Sequence, residues 1–432
     1  MVFYNILSIC LYLLLAGLIS SKKTEYDLLL EWGKNNSLEI SDKIQIEYIN
    51  ENNKTFSAKN TIQKGEEILN IPNSILLNIE NTLILYGTKA KKLYSSFKSE
   101  LNKLNETSNF TLEQPFLAYI MYKVNKNKKS KKNKFYKHFQ YLFNTYESNL
   151  DGFPIFYSLE QLNLIRQTSL GFLIDRMKKL YDEEIAIYEN ILKEKKINKE
   201  DYYVFRTYSS SKSFNISGHS VIIPFLDIFE KHPTKYNIEV IASDYDIKVI
   251  STNDISPSDK LFIKSDTLSN HNALLYFGIS FEEIIDRIEN YYIPILNPLL
   301  IKNNNIEIKE DPSLSNYFSN YIEIKRGNND FYLKYIDTYK KLCNKFEMDE
   351  TELSAYHLIL QNLLTLKEMN EQINIYAYNV FYTKKDVNNI LNIIKTENNA
   401  LEEKIDLIKF LIDGIKKDKK EKKEDEDINF DL

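Results

Sequence analysis

Strand-patterned segments occur in two places far apart along this chain. The first group is residues 43–48, where apolar and polar residues alternate, then 55–58 and 68–72. Ile62-Gln63-Lys64-Gly65-Glu66 makes a turn within it, and Pro72 closes its last strand. The second group is 220–225, 238–242, 247–251 and 261–264. Between the groups, apolar residues recur at helical spacing over 112–124, 158–164 and 170–193. Ahead of them, residues 26–33 place Leu28, Leu29 and Trp32 on one helical face. A lone hairpin is marginal in water, so the two groups are expected to share one lobe. Residues 272–277 and 281–290 read as helical, and so does the chain onward to about 415, for example at 354–366 and 401–415. The expected class is α+β. A split β-rich lobe takes residues 25–80 and 206–285, a long helical insertion takes 81–205, and an all-α C-terminal lobe takes 286–415. The charged run KKDKKEKKEDED places 416–432 as a disordered tail. No repeat of 20–50 residues is evident.

Composition narrows the function. With 43% hydrophobic residues, the 432-residue chain can bury a large core, and 31 Tyr and 24 Phe argue against intrinsic disorder. A net charge of −5 leaves no basic excess for neutralising phosphates, so no nucleic-acid partner is expected. Only 10 Gly are present, with neither GxGxxG nor GxxxxGK[ST], which excludes nucleotide enzymes of those two kinds. Residues 2–19 form an apolar stretch closed by Ala16, Gly17, Ser20 and Ser21, ahead of Lys22 and Lys23. Residues 1–21 therefore read as a secretory signal peptide, with an uncleaved anchor helix as the alternative. Its n-region lacks Lys and Arg. No later segment is long and apolar enough for a membrane span. Cleavage removes Cys10 and leaves Cys343 alone, so neither an intrachain disulfide nor a cysteine-based metal site is expected. Cys343 itself reads as a buried apolar thiol. Sequons at Asn35, Asn53, Asn105, Asn109 and Asn215 support secretion only weakly in a chain this rich in Asn. The basic run 126–137 reads as a solvated loop.

Several segments, taken in order, resemble one family. Residues 29–36 are similar to an opening "LLEWL-x-x-N" helix, and 57–66 to an "FA-x-x-DI-x-x-GE" strand and turn, with Ile71-Pro72 after it. Residues 135–142 stand where the family has "W-x-PY-x-x-x-LP". Leu159-Glu160-Gln161-Leu162 is similar to "EL-x-x-L". Residues 222–227 (IIPFLD) are similar to "LIPL-x-D", and Ser269-Asn270 with 274–278 to "SN-x-x-L-x-x-x-YG". These motifs resemble the SET-domain protein methyltransferases of the Rubisco large-subunit type, including the actin-histidine methyltransferase branch.

That resemblance implies a site for S-adenosylmethionine, and this chain departs from the family's pattern at each working position. The two glycines on which the cofactor lies are replaced by Asn53 and Thr55. The Asn-His pair is replaced by Glu230 and Lys231, with His232 one place further on and read as a surface residue. The Arg that contacts the cofactor carboxylate aligns with Lys212, which keeps the charge and loses the fork. Of the two tyrosines, one position holds Ser265 and the other Phe277, with Tyr276 displaced by one residue onto another face. The second turn, Ser256-Pro257-Ser258-Asp259, also lacks its Gly. Methyl transfer depends on aimed groups, and small misplacements cost orders of magnitude. The expectation is therefore no catalytic residue, no cofactor and no metal. Outside the motifs, His219 and His271 are a candidate pair that reads more simply as two separate polar residues.

The expected function is that of a secreted, non-catalytic protein of this fold. It would bind an extended polypeptide segment in the cleft between its lobes, as a scaffold component in a secretory or vacuolar lumen. The vacuole around an intracellular parasite is the destination if the source is one. The rival is an active S-adenosylmethionine-dependent lysine or histidine methyltransferase with a rebuilt site. Asp431-Leu432 is a faint match to the end of a KDEL retention signal.

Overall fold

The computed structural model describes residues 25–48, 54–103, 109–126, 150–193, 196–265, 269–284, 290–294, 321–325, 336–337, 339–341, 343–344 and 351–430. The leader (1–21), Cys10, Asn53, Asn105, residues 135–142, the last two residues and all of the basic run except Lys126 lie outside them.

In chain order the elements are helix α1 (Glu25–Lys34) and strands β1 (Glu39–Ile40), β2 (Ile44–Tyr48), β3 (Lys54–Ala58) and β4 (Glu67–Pro72). Helices α2 (Ile79–Asn102), α3 (Asn109–Lys126), α4 (Leu159–Ile165), α5 (Ser169–Leu192) and α6 (Lys199–Lys212) follow. Then come β5 (Ser213–Ile216), β6 (His219–Ile222), β7 (Glu230–His232), β8 (Ile238–Ala242), β9 (Asp246–Ser251), β10 (Phe262–Lys264) and α7 (Asn270–Phe277). Strands β11 (Asn290–Pro294) and β12 (Tyr321–Lys325) precede two long helices, α8 (Thr351–Val380) and α9 (Lys384–Phe430).

The chain divides into two compact units, residues 1–149 with 184–264 and residues 150–183 with 265–432. The helical stretch expected as an insertion is thus shared between them and is not a body of its own. Packing sets this division, and helical periodicity alone does not report which core a helix serves.

In the first unit, strands from the two separated groups pair with each other. β4 runs antiparallel to β9, within a sheet of order β1-β4-β9-β8-β10-β7. β10 pairs in parallel with both β7 and β8. Ile68, Leu69 and Ile71 of β4 and Ile247 and Val249 of β9 are buried, which fixes the register. Gly65, at φ +82°, makes the turn into β4, a conformation that glycine adopts freely. The second turn keeps a left-handed residue without a glycine. Ser258 stands at φ +73°, its N–H bonded to Ala58 O at 2.8 Å, while Asp259 Oδ2 accepts from Ser256 N at 3.0 Å. Left-handed backbone costs a side-chain-bearing residue about 1 kcal/mol. Ser258→Gly is therefore expected to stabilise the protein by about 0.5–1 kcal/mol, read as a higher urea midpoint. A lower midpoint would mean that the serine side chain contributes more than the strain costs.

Helices α2, α3, α5 and α6 bury an aromatic stack on the same unit. Tyr188 lies between Phe97 (centroids 4.0 Å apart) and Tyr119 (4.2 Å), both near parallel. Beside it, Arg206 and Glu184 form a buried ion pair.

In the second unit, Ser158 caps α4 in a reciprocal capping box with Gln161. Asn270, at the start of α7, is fully buried. Its amide donates to Phe281 O at 2.9 Å and its carbonyl accepts from Phe281 N at 2.7 Å. α8 and α9 pack into a helical hairpin whose core includes Ile359, Leu363, Leu401 and Ile408. Cys343 joins that core, and burial pushes its thiol up to about 11.

Three expectations fail here. The C-terminal lobe is not all helix, because β11 and β12 pair antiparallel through five residues each. Their sequences, NYYIP and YIEIK, are rich in aromatic and β-branched residues that favour strands, and runs this short carry no decisive period. Likewise the described part of 281–290 is not α-helix: it holds a single 3-10 turn at Glu282–Ile284, and Asn290 opens β11. Nor is 416–430 structureless. It continues α9 to Phe430, as a run of Lys and Glu without Gly or Pro permits.

Candidate functional site

The motif IIPFLD lies where β6 leads into β7. Phe225, fully buried, holds φ +70°, a left-handed backbone that a bulky residue rarely takes. Its ring packs on α1 at Gly33, where a Cβ would come within 2.8 Å of it. That anchorage sets the 3-10 turn Leu226–Ile228 and so the position of Asp227.

Asp227 and Lys212 form the polar centre of the first unit's site. Lys212, at the end of α6, donates from Nζ to the backbone carbonyl of Asp227 at 2.8 Å. Burial lowers the lysine's pKa, and the nearby Asp227 charge offsets part of that. Burial pushes the Asp227 carboxyl up to about 6, against the pull of Lys212 and of backbone N–H groups at Asp227 and Phe225. Its Oδ1 is buried without a hydrogen-bond partner, and so is Thr55 Oγ1 on β3. Unpaired buried oxygens are costly, and each calls for a partner, whether a water or a ligand.

The neighbouring positions are engaged within the protein. Lys231 Nζ donates to Ser211 O at 3.2 Å and lies 4.6 Å from the centre of the Phe214 ring. Glu230 Oε1 lies 3.4 Å from Lys260 Nζ. His232 is buried, not a surface residue. Its Nδ1 accepts from Thr234 N at 3.2 Å and Lys235 N at 2.9 Å, capping the turn after β7, and its ring meets Phe262 edge-on.

The second unit holds the two positions where the resemblance places tyrosines. Ser265 is buried, and Phe277 is half-buried at the end of α7. Tyr276, beside it, stands 37% exposed. His219 and His271 each have a carboxylate of their own. His219 Nδ1 pairs with Glu113 at 2.8 Å in the first unit, and His271 Nε2 with Glu397 at 2.9 Å in the second. Among the described residues no group of three or more His, Cys, Asp or Glu could hold a metal, and no helix is long and apolar enough to cross a membrane.

No family model matches the chain, and no curated protein matches it by sequence. Solved structures do. A SET domain of LSMT bound to lysine and AdoHcy matches at a TM-score of 0.57 and 13% identity, over 90% of this chain and 92% of that one. Rubisco LSMT bound to sinefungin and monomethyllysine gives 0.58 and 14%, over 89% and 91%. Rubisco LSMT bound to AdoMet gives 0.54 and 11%, over 90% and 92%. This chain has the SET/Rubisco-methyltransferase fold.

The likeness covers nearly the whole length of both partners, so the motif order noted in the sequence is matched by the architecture. The expectation that a chain of this SET-type fold takes no cofactor does not stand. The finding against it is that the solved structures of this fold hold AdoMet, AdoHcy or sinefungin. Asp227, the last residue of the IIPFLD motif, stands as one carboxylate in a run of apolar residues, IIPFLDIF.

Proposed function

We propose that this protein binds S-adenosylmethionine or its product in the first unit and a polypeptide partner, and acts as a binding or scaffold component of the SET fold. The residues present suit the amino-acid end of such a ligand. The Lys212 ammonium complements a carboxylate, and the unpartnered Asp227 Oδ1 complements an α-ammonium. Thr55 brings a side chain to a glycine position of the family, and its buried Oγ1 has no hydrogen-bond partner within the protein. When bound, S-adenosylmethionine supplies an electrophilic methyl group.

The observation that carries the non-catalytic part is the pair Ser265 and Phe277. Neither of these positions offers a phenol hydroxyl to orient an incoming amine or imidazole. A second reading, active protein methylation, is favoured by the lysine and monomethyllysine held in solved structures of the same fold.

Isothermal titration of the full chain, paired with transfer of a labelled methyl group to lysine- and histidine-containing peptides, tests both. Binding of S-adenosylmethionine and S-adenosylhomocysteine in the micromolar range without label transfer is expected. Flat titrations with both ligands would remove the ligand assignment. Label on lysine or histidine would establish the second reading.

A further inference from the structure

The second unit carries an unpaired apolar stripe at the hairpin between α8 and α9. Ile375 and Tyr378 are each 67% exposed on α8, and Tyr382, just beyond the helix end, is 84% exposed. Glu371, Ile375 and Tyr378 follow one another at spacings of four and three, so they share a helix face. Buried Ile373, Ala377 and Val380 occupy the opposite face and pack inward. Together Ile375, Tyr378 and Tyr382 expose on the order of 500 Å² of aromatic and aliphatic surface, an extent that marks an interaction site when contiguous.

The charges at its two ends have opposite signs. Glu371 is exposed at one end, and Lys384 and Lys385 are exposed at the other. Lys367, one turn before Glu371, is tied to Glu402 at 2.7 Å. A surface with an acidic end, an apolar middle and a basic end is complementary to itself after a half-turn rotation. A two-fold axis near Tyr378 lays each Glu371 against the other copy's Lys384 and Lys385, and stacks the tyrosines between them. Glu371 lies about 10 Å along the helix from that axis, within reach of long lysine side chains.

We infer that this patch is the interface of a homodimer. Its apolar area is below that of a standard stable interface, so the dimer is weak and forms in the micromolar range.

Sedimentation velocity on the full chain from about 1 to 100 μM tests it. A concentration-dependent monomer–dimer equilibrium is expected. Tyr378→Glu is expected to leave a monomer with an unchanged melting temperature, because the side chain is exposed. Glu371→Lys and Lys385→Glu, made singly, each place like charges together and weaken association at least tenfold. Combined in one chain they restore it, which a loss of folding does not mimic. A wild-type chain that stays monomeric throughout would overturn the inference, as would a dimer that Tyr378→Glu leaves intact or a double reversal that fails to restore association.

Discussion

Asp227→Asn is expected to give a protein that is more stable and binds S-adenosylmethionine less well. The two effects have one cause. Burial raises the Asp227 carboxyl to about 6, from roughly 3.9 in an unfolded chain. Between those values the folded protein holds a proton that the unfolded chain has released, so stability falls as pH rises through that window. Above about pH 6 the full cost of an ionised, buried carboxylate is present. That difference corresponds to roughly 3 kcal/mol, and partial solvent access reduces it to about 1–2 kcal/mol. The amide avoids that cost. Lys212 loses an attractive neighbour, a smaller influence on it than its own burial. The variant's advantage in urea should therefore be complete at pH 7.5 and shrink toward pH 4. At pH 7.5 the ligand should bind about tenfold more weakly or worse, the loss of one charge-assisted hydrogen bond. A variant less stable than wild type at pH 7.5 would make Asp227 a structural partner of Lys212. A variant with unaltered affinity would remove Asp227 from the ligand site.

The features that were legible in the sequence were those set locally or by the order of motifs. Alternation at 44–48 and 247–251 and the turn at Gly65 each depend on a few adjacent residues, and each appears as expected. That the two groups of strands belong to one lobe followed from their order along the chain, whereas the pairing of β4 with β9 is visible only in the structure. What was illegible depends on partners distant in sequence. His232 reads as a surface residue beside Pro233, yet Phe262 of the adjoining strand covers it. The Ser258 turn shows that a missing glycine removed the residue but kept the conformation, which no motif match can report. The unpartnered oxygens of Thr55 and Asp227 become visible only when every neighbour is in place. A motif lists the groups that are absent; it does not show which polar atoms remain unsatisfied.

The buried pair Glu184–Arg206 should give the largest single loss of stability in the first unit. Arg206 Nε donates to both Glu184 oxygens, at 3.0 and 2.9 Å, and Tyr202 OH donates to the same carboxylate at 2.9 Å. Arg206 Nη1 reaches Gln114 Oε1 at 3.3 Å and Ser210 Oγ, so the cluster ties α3, α5 and α6 together. The side chains are only 6% and 1% exposed. Water therefore replaces neither partner when the other is removed. Arg206→Met is expected to cost about 3–5 kcal/mol, most of it the cost of leaving the carboxylate unpaired. Glu184 then escapes by taking a proton, so its folded pKa lies above the unfolded value and the loss grows as pH rises above about 4. Glu184→Leu combined with Arg206→Met removes both charges and should cost much less than the two single changes added together. Urea unfolding of the three variants at pH 5 and 7.5 checks this. Additive losses would mean that the pair contributes through packing and not through charge. The consequence reaches the candidate site, because Arg206 and Lys212 lie on the same helix, and loosening α6 shifts the ammonium that meets Asp227.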